Sequence, residues 1–192
     1  VLSVLEEISG ELKDDATVVS MAAGIPLEAL SKASGKPAVR IMPNMPVSVG
    51  EGMTALAASS DVSEERVAAV CALLEASGKV ELVDEKLMDC VTAVSGSGPA
   101  YAFVFIEALA DAAVRSGIPR AAAYVYAAQT VKGAAAAVLA CGKNPASLKD
   151  AVCSPGGTTI EGVAALEKGG FRSAVFDAVK AACEKSAAMS KM

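Results

Sequence analysis

The pattern of this chain changes once, near Asp84, and that change limits the fold more than any single motif. Before it, short apolar runs alternate with amphipathic stretches. Thr17 to Met21, Ala38 to Met42, Met53 to Ala58 and Lys79 to Val83 have strand length and strand composition. Between them, Pro26 to Ala33 and Asp61 to Ser77 carry helical spacing. The second opens at Ser63 and places Val67, Val70, Leu73 and Leu74 on one face. Strands alternating with helices predict an α/β layer with a largely parallel sheet. From Glu85 onward every segment reads as helix, broken only by glycine and proline, at 96–99, 117–119, 142–145, 154–157 and 169–170. The expectation is therefore two domains: an α/β domain over residues 1–84 and an all-helical domain over residues 85–192.

Composition narrows the function classes. Hydrophobic residues make up 53% of the chain but aromatics only 4%, so small side chains dominate and helices can approach closely. A net charge of −5, with no polybasic run, argues against a nucleic-acid partner. Histidine is absent, which removes the commonest general base and the commonest metal ligand. The cysteines, Cys71, Cys90, Cys141, Cys153 and Cys183, are dispersed, and none forms a C-x-x-C pair. No metal site is expected, and the set reads as reduced thiols of a cytoplasmic protein. Cys153, without a histidine to activate it, reads as a structural thiol.

Two features bear on the chain's surroundings. Ala121 to Cys141 is long enough to span a bilayer, but Lys132 would lie near the midplane at a cost of about 3 kcal/mol. A helix buried inside an oligomer explains the stretch better, and no membrane partner is expected. The chain also opens at Val1 within an amphipathic helical pattern, with Leu5, Ile8 and Leu12 on one face. It is read as a piece of a longer sequence whose upstream part lies elsewhere.

Three loops carry the chemistry. Cys153-Ser154-Pro155-Gly156-Gly157-Thr158-Thr159 precedes a helical pattern, so its backbone N–H groups and hydroxyls sit at a helix N-terminus. Such a terminus can seat a carboxylate or phosphate; a Ser-Pro turn with a threonine N-cap would explain the same residues. Met21-Ala22-Ala23-Gly24 and Met42-Pro43-Asn44-Met45-Pro46 follow strands, and ligands of open α/β sheets bind beyond the carboxyl ends of strands. The small residues of the first let a flat ring lie close to the backbone. Asn44 in the second can orient a polar group or stabilise its own turn. A dinucleotide fingerprint G-x-G-x-x-G is missing: Gly96 and Gly98 supply two glycines, but Tyr101 holds the third place. A cofactor's pyrophosphate would have to be held by an upstream segment.

Four stretches together resemble the pyrroline-5-carboxylate reductase family. They are Arg40-Ile41-Met42-Pro43-Asn44-Met45-Pro46 with Gly50-Glu51-Gly52; Val94-Ser95-Gly96-Ser97-Gly98-Pro99-Ala100-Tyr101; Leu148-Lys149-Asp150 leading into Ser154 to Thr159; and Leu166-Glu167 through Gly170-Phe171-Arg172. The resemblance covers essentially the whole chain. It implies a partial Rossmann-like parallel sheet, with the first βαβ unit missing, followed by a helical dimerisation domain. It implies reduction of Δ1-pyrroline-5-carboxylate to L-proline with NADPH or NADH, the last step of proline biosynthesis. It also implies a homodimer of interlocked helical domains, with dimers often building a decamer.

Carried over residue by residue, the resemblance puts the substrate carboxylate on the loop of Ser154, Gly156, Gly157 and Thr158. Thr159 bonds the ring nitrogen and is the candidate catalytic residue. Glu85 and Ser97 fall near the substrate. Met21, Ala22 and Ala23, with Asn44 and Pro46, fall at the nicotinamide. Ala151 departs from relatives that carry asparagine there. Hydride transfer to an already cationic imine needs no strong base, which fits a chain without histidine. Two rivals stand beside this reading. One is a β-hydroxyacid-type dehydrogenase, which would want a lysine in the helix after the glycine turn, where none occurs between Gly98 and Lys132. The other is a non-catalytic oligomerisation module.

Overall fold

The computed structural model describes residues 1–189, so the last residues of the helical domain expected over 85–192 lie outside the described residues. The chain forms two compact units. The first comprises Val1–Pro99 and the chain from Ala178 onward, and the second Ala100–Asp177.

The first unit is built on a four-stranded sheet in the order β1-β2-β3-β4. The strands are β1 (Val18–Ser20), β2 (Ala38–Met42), β3 (Gly52–Ala58) and β4 (Gly78–Leu82). β1 and β2 run parallel, joined through helix α2 (Leu27–Ser34), and β3 and β4 run parallel, joined through α3 (Glu64–Glu75). The sheet is therefore largely parallel, as expected, with one exception: β2 and β3 pair antiparallel. Only residues 43–51 link them, too short a span for the crossover that a parallel pair requires.

Alternation along the central strands builds a core on each face. Ala38, Ala55 and Ala57 point to one side, where they meet Leu27 and Leu30 of α2, Met88, and Leu2 and Leu5 of α1 (Leu2–Ile8). Val39, Ile41 and Leu56 point to the other, against Val67, Val70 and Leu74 of α3. Ser63 caps α3 by accepting the Arg66 N–H, as its place in the sequence predicts. Gly78 starts β4 at φ 144°, directly against Gly52; a Cβ there would lie 2.1 Å from the Gly52 carbonyl oxygen. Two glycines in register are thus needed for β3 and β4 to close up at this end.

After β4 the chain makes a turn at Glu85–Leu87, a short helix α4 (Met88–Val91) and a π-turn at Thr92–Gly96. Met88 is buried in the sheet core, so this stretch packs with the first unit although its sequence pattern is helical.

The second unit is helical: α5 (Gly98–Arg115), α6 (Arg120–Cys141), α7 (Pro145–Val152), α8 (Thr158–Lys168) and the opening residues of α9 (Phe171–Met189). Its core is small and made of alanine. Ala110 of α5 packs on Ala123 and Ala127 of α6, flanked by Ile106, Ala113, Val114 and Ile118. The Phe105 and Phe171 rings meet at 5.7 Å, tilted by 47°. Much of the remaining apolar surface is left open, including Phe103 and Val104 of α5 and Tyr124, Val125, Tyr126 and Leu139 of α6.

Candidate active site

The two strand-end turns lie at the same edge of the sheet, because β1 and β2 are parallel neighbours. After β1, the Ser20 hydroxyl accepts the Ala22 N–H at 3.2 Å, and Gly24 turns the chain at φ 76°. Met21 and Ala23 are exposed at this turn, and Ala22 is half-buried. The small side chains of Ala22 and Ala23 leave the backbone accessible, so the turn fits a planar ring laid against it.

After β2, Asn44 works mostly within the protein. Its Oδ1 accepts the Met53 N–H at 2.9 Å and its Nδ2 donates to the Ser95 carbonyl at 3.0 Å. The amide therefore ties the start of β3 to the π-turn. One N–H and one oxygen lone pair remain for anything else. Pro46 follows in the short helical turn Met45–Val49 and is half-buried.

Glu85 has a defined task. Its Oε1 accepts the Leu27 N–H at 2.7 Å and pairs with Arg40 Nη1 at 3.0 Å. Leu27 is the first residue of α2, and the residue before it is Pro26, so the helix has no local side-chain cap. A carboxylate from far along the chain supplies the missing acceptor at the positive end of the helix. Arg40 projects from the middle of β2 and its side chain is 7% exposed. Its Nε is buried and has no hydrogen-bond partner among the described residues, so the guanidinium fork is only partly used. Sequence reasoning quoted Arg40 within a motif but gave it no role. The signal was an arginine inside an otherwise apolar strand, which calls for a buried partner.

Ser97 closes the π-turn: its N–H bonds to the Thr92 carbonyl, five residues back, at 2.9 Å. Such widened turns gather at functional sites. Asn44, the Ser95–Ser97 turn, Arg40 and Glu85 all belong to the first unit, together with the Met21–Gly24 turn.

The loop of Ser154 to Thr159 belongs to the second unit. Gly156 sits at φ 68°, and the Gly157 N–H bonds to the Ser154 carbonyl at 3.0 Å. Gly157, not a threonine, is the N-cap of α8, and no side chain caps that helix. Thr158 and Thr159 are its first residues. The threonine N-cap allowed by the sequence is therefore not what forms. The leading N–H groups of α8 have no intrahelical acceptor and face an exposed loop. A Cβ at Gly157 would lie 2.4 Å from Ser154 Oγ and 3.1 Å from the Ser154 carbonyl oxygen, so a larger residue makes the Ser154 side chain rotate and crowds the turn. The Gly157 N–H is already committed to the turn, which leaves those of Thr158, Thr159 and Ile160 as the helix-end donors. Nearby, Lys149 in the last turn of α7 binds Asp150 at 2.6 Å, and Arg172 binds Glu167 at 2.7 Å. The hydrogen bond to Asp150 raises the Lys149 ammonium above its ordinary value, with the charge of Arg172 opposing it.

An α/β layer with small-residue turns at its strand ends, followed in sequence by a helical unit with an uncapped helix N-terminus, fits the plan of a two-domain nicotinamide-dependent reductase. Comparison with known proteins makes this specific. Residues 85–189 match the family model for pyrroline-5-carboxylate reductase dimerisation. The chain is 48% identical over 192 residues to pyrroline-5-carboxylate reductase of Escherichia coli, covering 99% of this chain and 71% of that one. Its fold superposes on the Coxiella burnetii pyrroline-5-carboxylate reductase with a TM-score of 0.94 at 35% identity, covering 100% of this chain and 72% of the other. It superposes on the Plasmodium falciparum pyrroline carboxylate reductase, solved with NADP bound, with a TM-score of 0.88 at 37% identity, covering 98% and 77%. The chain belongs to the pyrroline-5-carboxylate reductase family.

Proposed function

We propose that this chain reduces Δ1-pyrroline-5-carboxylate to L-proline with a hydride from NADPH or NADH, the last step of proline biosynthesis. Membership of the family supports the reading. The observation in the molecule that carries it is the uncapped N-terminus of α8 behind the Gly156-Gly157 turn. A bound nicotinamide cofactor supplies the hydride.

The chain's own residues bind and orient. The backbone N–H groups of Thr158 and Thr159 and the positive end of α8 hold the substrate carboxylate, in a loop shaped by Ser154, Gly156 and Gly157. The Thr159 hydroxyl accepts the N–H of the protonated imine, fixing which face of the ring is presented. The Met21–Ala23 turn, with Asn44 and Pro46 beside it, holds the flat end of the cofactor. Ser97 borders the substrate. Glu85 acts from behind, by holding the start of α2. The electrophile is already a cation, so the protein needs no histidine, and alignment of two bound reactants is its main contribution.

The family region at 85–189 makes the functional form an oligomer built on the helical unit. We further place the protein in the cytoplasm as a homodimer that assembles into a decamer. The helical run Glu85–Arg115 is apolar enough by length and composition to cross a bilayer. A dimer face explains that run better than a lipid face, because it falls within the family's dimerisation region.

Thr159→Ala tests the catalytic assignment. Loss of a hydrogen bond to a charged group costs about 1.5 to 3 kcal/mol, so kcat/KM should fall by roughly 10- to 100-fold with the melting temperature unchanged. Unchanged turnover would remove Thr159 from the mechanism. Fluorescence titration with NADPH tests the reaction class: failure to bind would leave only an oligomerisation module.

A further inference from the structure

The mechanism above uses none of the cysteines, yet two of them meet. Cys90 in α4 and Cys183 in α9 are far apart in sequence, and their sulfurs lie 2.9 Å apart. That is about 0.9 Å longer than a disulfide bond. A second contact sets the same pairing of elements. The Ser186 hydroxyl, one turn beyond Cys183 on α9, donates to Asp89 Oδ1 at 2.7 Å, immediately beside Cys90. α9 is thus seated against α4 by two neighbouring side-chain contacts, both inside the first unit. Cys90 is exposed and Cys183 is half-buried.

We propose that Cys90 and Cys183 are a thiol–disulfide exchange site that takes a low-molecular-weight disulfide such as oxidised glutathione. The exposed Cys90, as its thiolate, attacks one glutathione sulfur. The glutathione disulfide bond breaks, a Cys90–glutathione bond forms, and one glutathione leaves as thiolate and picks up a proton. Cys183 then loses its proton and attacks Cys90, forming the protein disulfide and expelling the second glutathione. Two protein thiols are oxidised, one glutathione disulfide is reduced, and the two electrons and two protons end on two glutathione thiols. The Cys183 thiol is raised above its ordinary value, first by its hydrogen bond with Cys90. That hydrogen bond ends once Cys90 carries glutathione, which frees Cys183 to act as the resolving thiol. In a reducing compartment the pair rests as thiols and closes only under oxidation, the usual behaviour of cytosolic redox-sensing pairs. Closure fastens α9 to the segment that leads into the Ser95–Ser97 turn.

The test is incubation of the protein with oxidised glutathione, followed by denaturing alkylation and mass spectrometry. Reduced protein carries five alkylatable cysteines. The oxidised protein should lose two of those sites, yield a Cys90–Cys183 cross-linked peptide, and regain both sites on reduction with dithiothreitol. Cys90→Ser, a residue outside the catalytic and binding loops, should abolish the cross-link while leaving the reduced-state activity intact. Retention of every alkylation site, a cross-link through Cys71, Cys141 or Cys153, or a bond between two chains on a non-reducing gel would each overturn the proposal.

Discussion

The two units treat their loose ends differently. In the α/β unit, Leu30, Val39 and Leu56 are fully buried. Two of its helix starts are satisfied by side chains, α3 by Ser63 and α2 by the carboxylate of Glu85, while α1 and α4 carry no side-chain cap. In the helical unit, the buried core is three alanines with a fringe of partly buried residues. Tyr124, Val125, Tyr126 and Leu139 face outward, and α8 begins on a bare glycine. The first unit has the larger buried core, although Leu73 of α3 and Leu82 of β4 stay exposed. The second leaves two kinds of surface unfinished, an apolar helix face that a second copy can cover and a helix N-terminus that an anion can cap.

The contrast can be broken from the closed side first. Leu56→Ala removes a side chain with no exposed surface, packed between β3 and α3. It should cost about 2 to 5 kcal/mol, read as a lower denaturation midpoint at unchanged slope. A loss well under 1 kcal/mol would mean that this unit is looser than its packing implies. Tyr126→Glu makes the complementary test on the open side. Tyr126 is 65% exposed in one chain, so the charge should barely alter helix content. It should weaken self-association by at least about 2 kcal/mol, roughly 30-fold, in sedimentation equilibrium, the scale of a central interface aromatic. An unchanged dissociation constant would move the dimer face off α6.

The second open feature is tested at Gly157. In Gly157→Ala the new methyl meets Ser154 Oγ at 2.4 Å and the Ser154 carbonyl oxygen at 3.1 Å, so the Ser154 side chain must rotate and the turn ahead of α8 is crowded. KM for the imino acid should rise by about tenfold, equivalent to about 1.4 kcal/mol, with KM for the cofactor unchanged. Equal rises in both constants would show a general distortion rather than a damaged carboxylate seat.

These contrasts were unevenly legible in the sequence. The strand Ala38–Met42 was read residue for residue, because alternate positions pack against different faces and all but Arg40 are apolar. Ser63 was read as a cap for the same local reason. The antiparallel step from β2 to β3 was missed, although the length of the 43–51 link already forbids a parallel crossover. A threonine N-cap stood as the alternative at α8, since serine and threonine lead at N-caps, but the turn closes one residue earlier, through the Gly157 N–H on Ser154. Arg40 with Glu85, and Cys90 with Cys183, were out of reach. Each joins residues 45 or 93 positions apart, and only the folded backbone brings them together. The Ser154–Thr159 loop stood out by its local glycines, while the contacts that stiffen the α/β unit are long-range.

The smallest effect belongs to Ser63, and it isolates what a helix start is for. Ser63 and Gly157 hold the same position, N-cap of a helix of similar length, α3 and α8. Ser63 accepts the Arg66 N–H at 3.4 Å, and Glu64 and Glu65 add negative charge in the first turn. Removing the cap in Ser63→Ala should cost about 1 kcal/mol of stability and leave KM for both substrates unchanged. Installing one in Gly157→Ser has the opposite logic. The added hydroxyl competes for the N–H groups of the proposed carboxylate seat, so binding should weaken at least as much as in Gly157→Ala. Were Gly157→Ser instead to bind substrate better than Gly157→Ala, the α8 terminus would be an ordinary uncapped end, and the distinction between a closed and an open unit would rest on the apolar helix face alone.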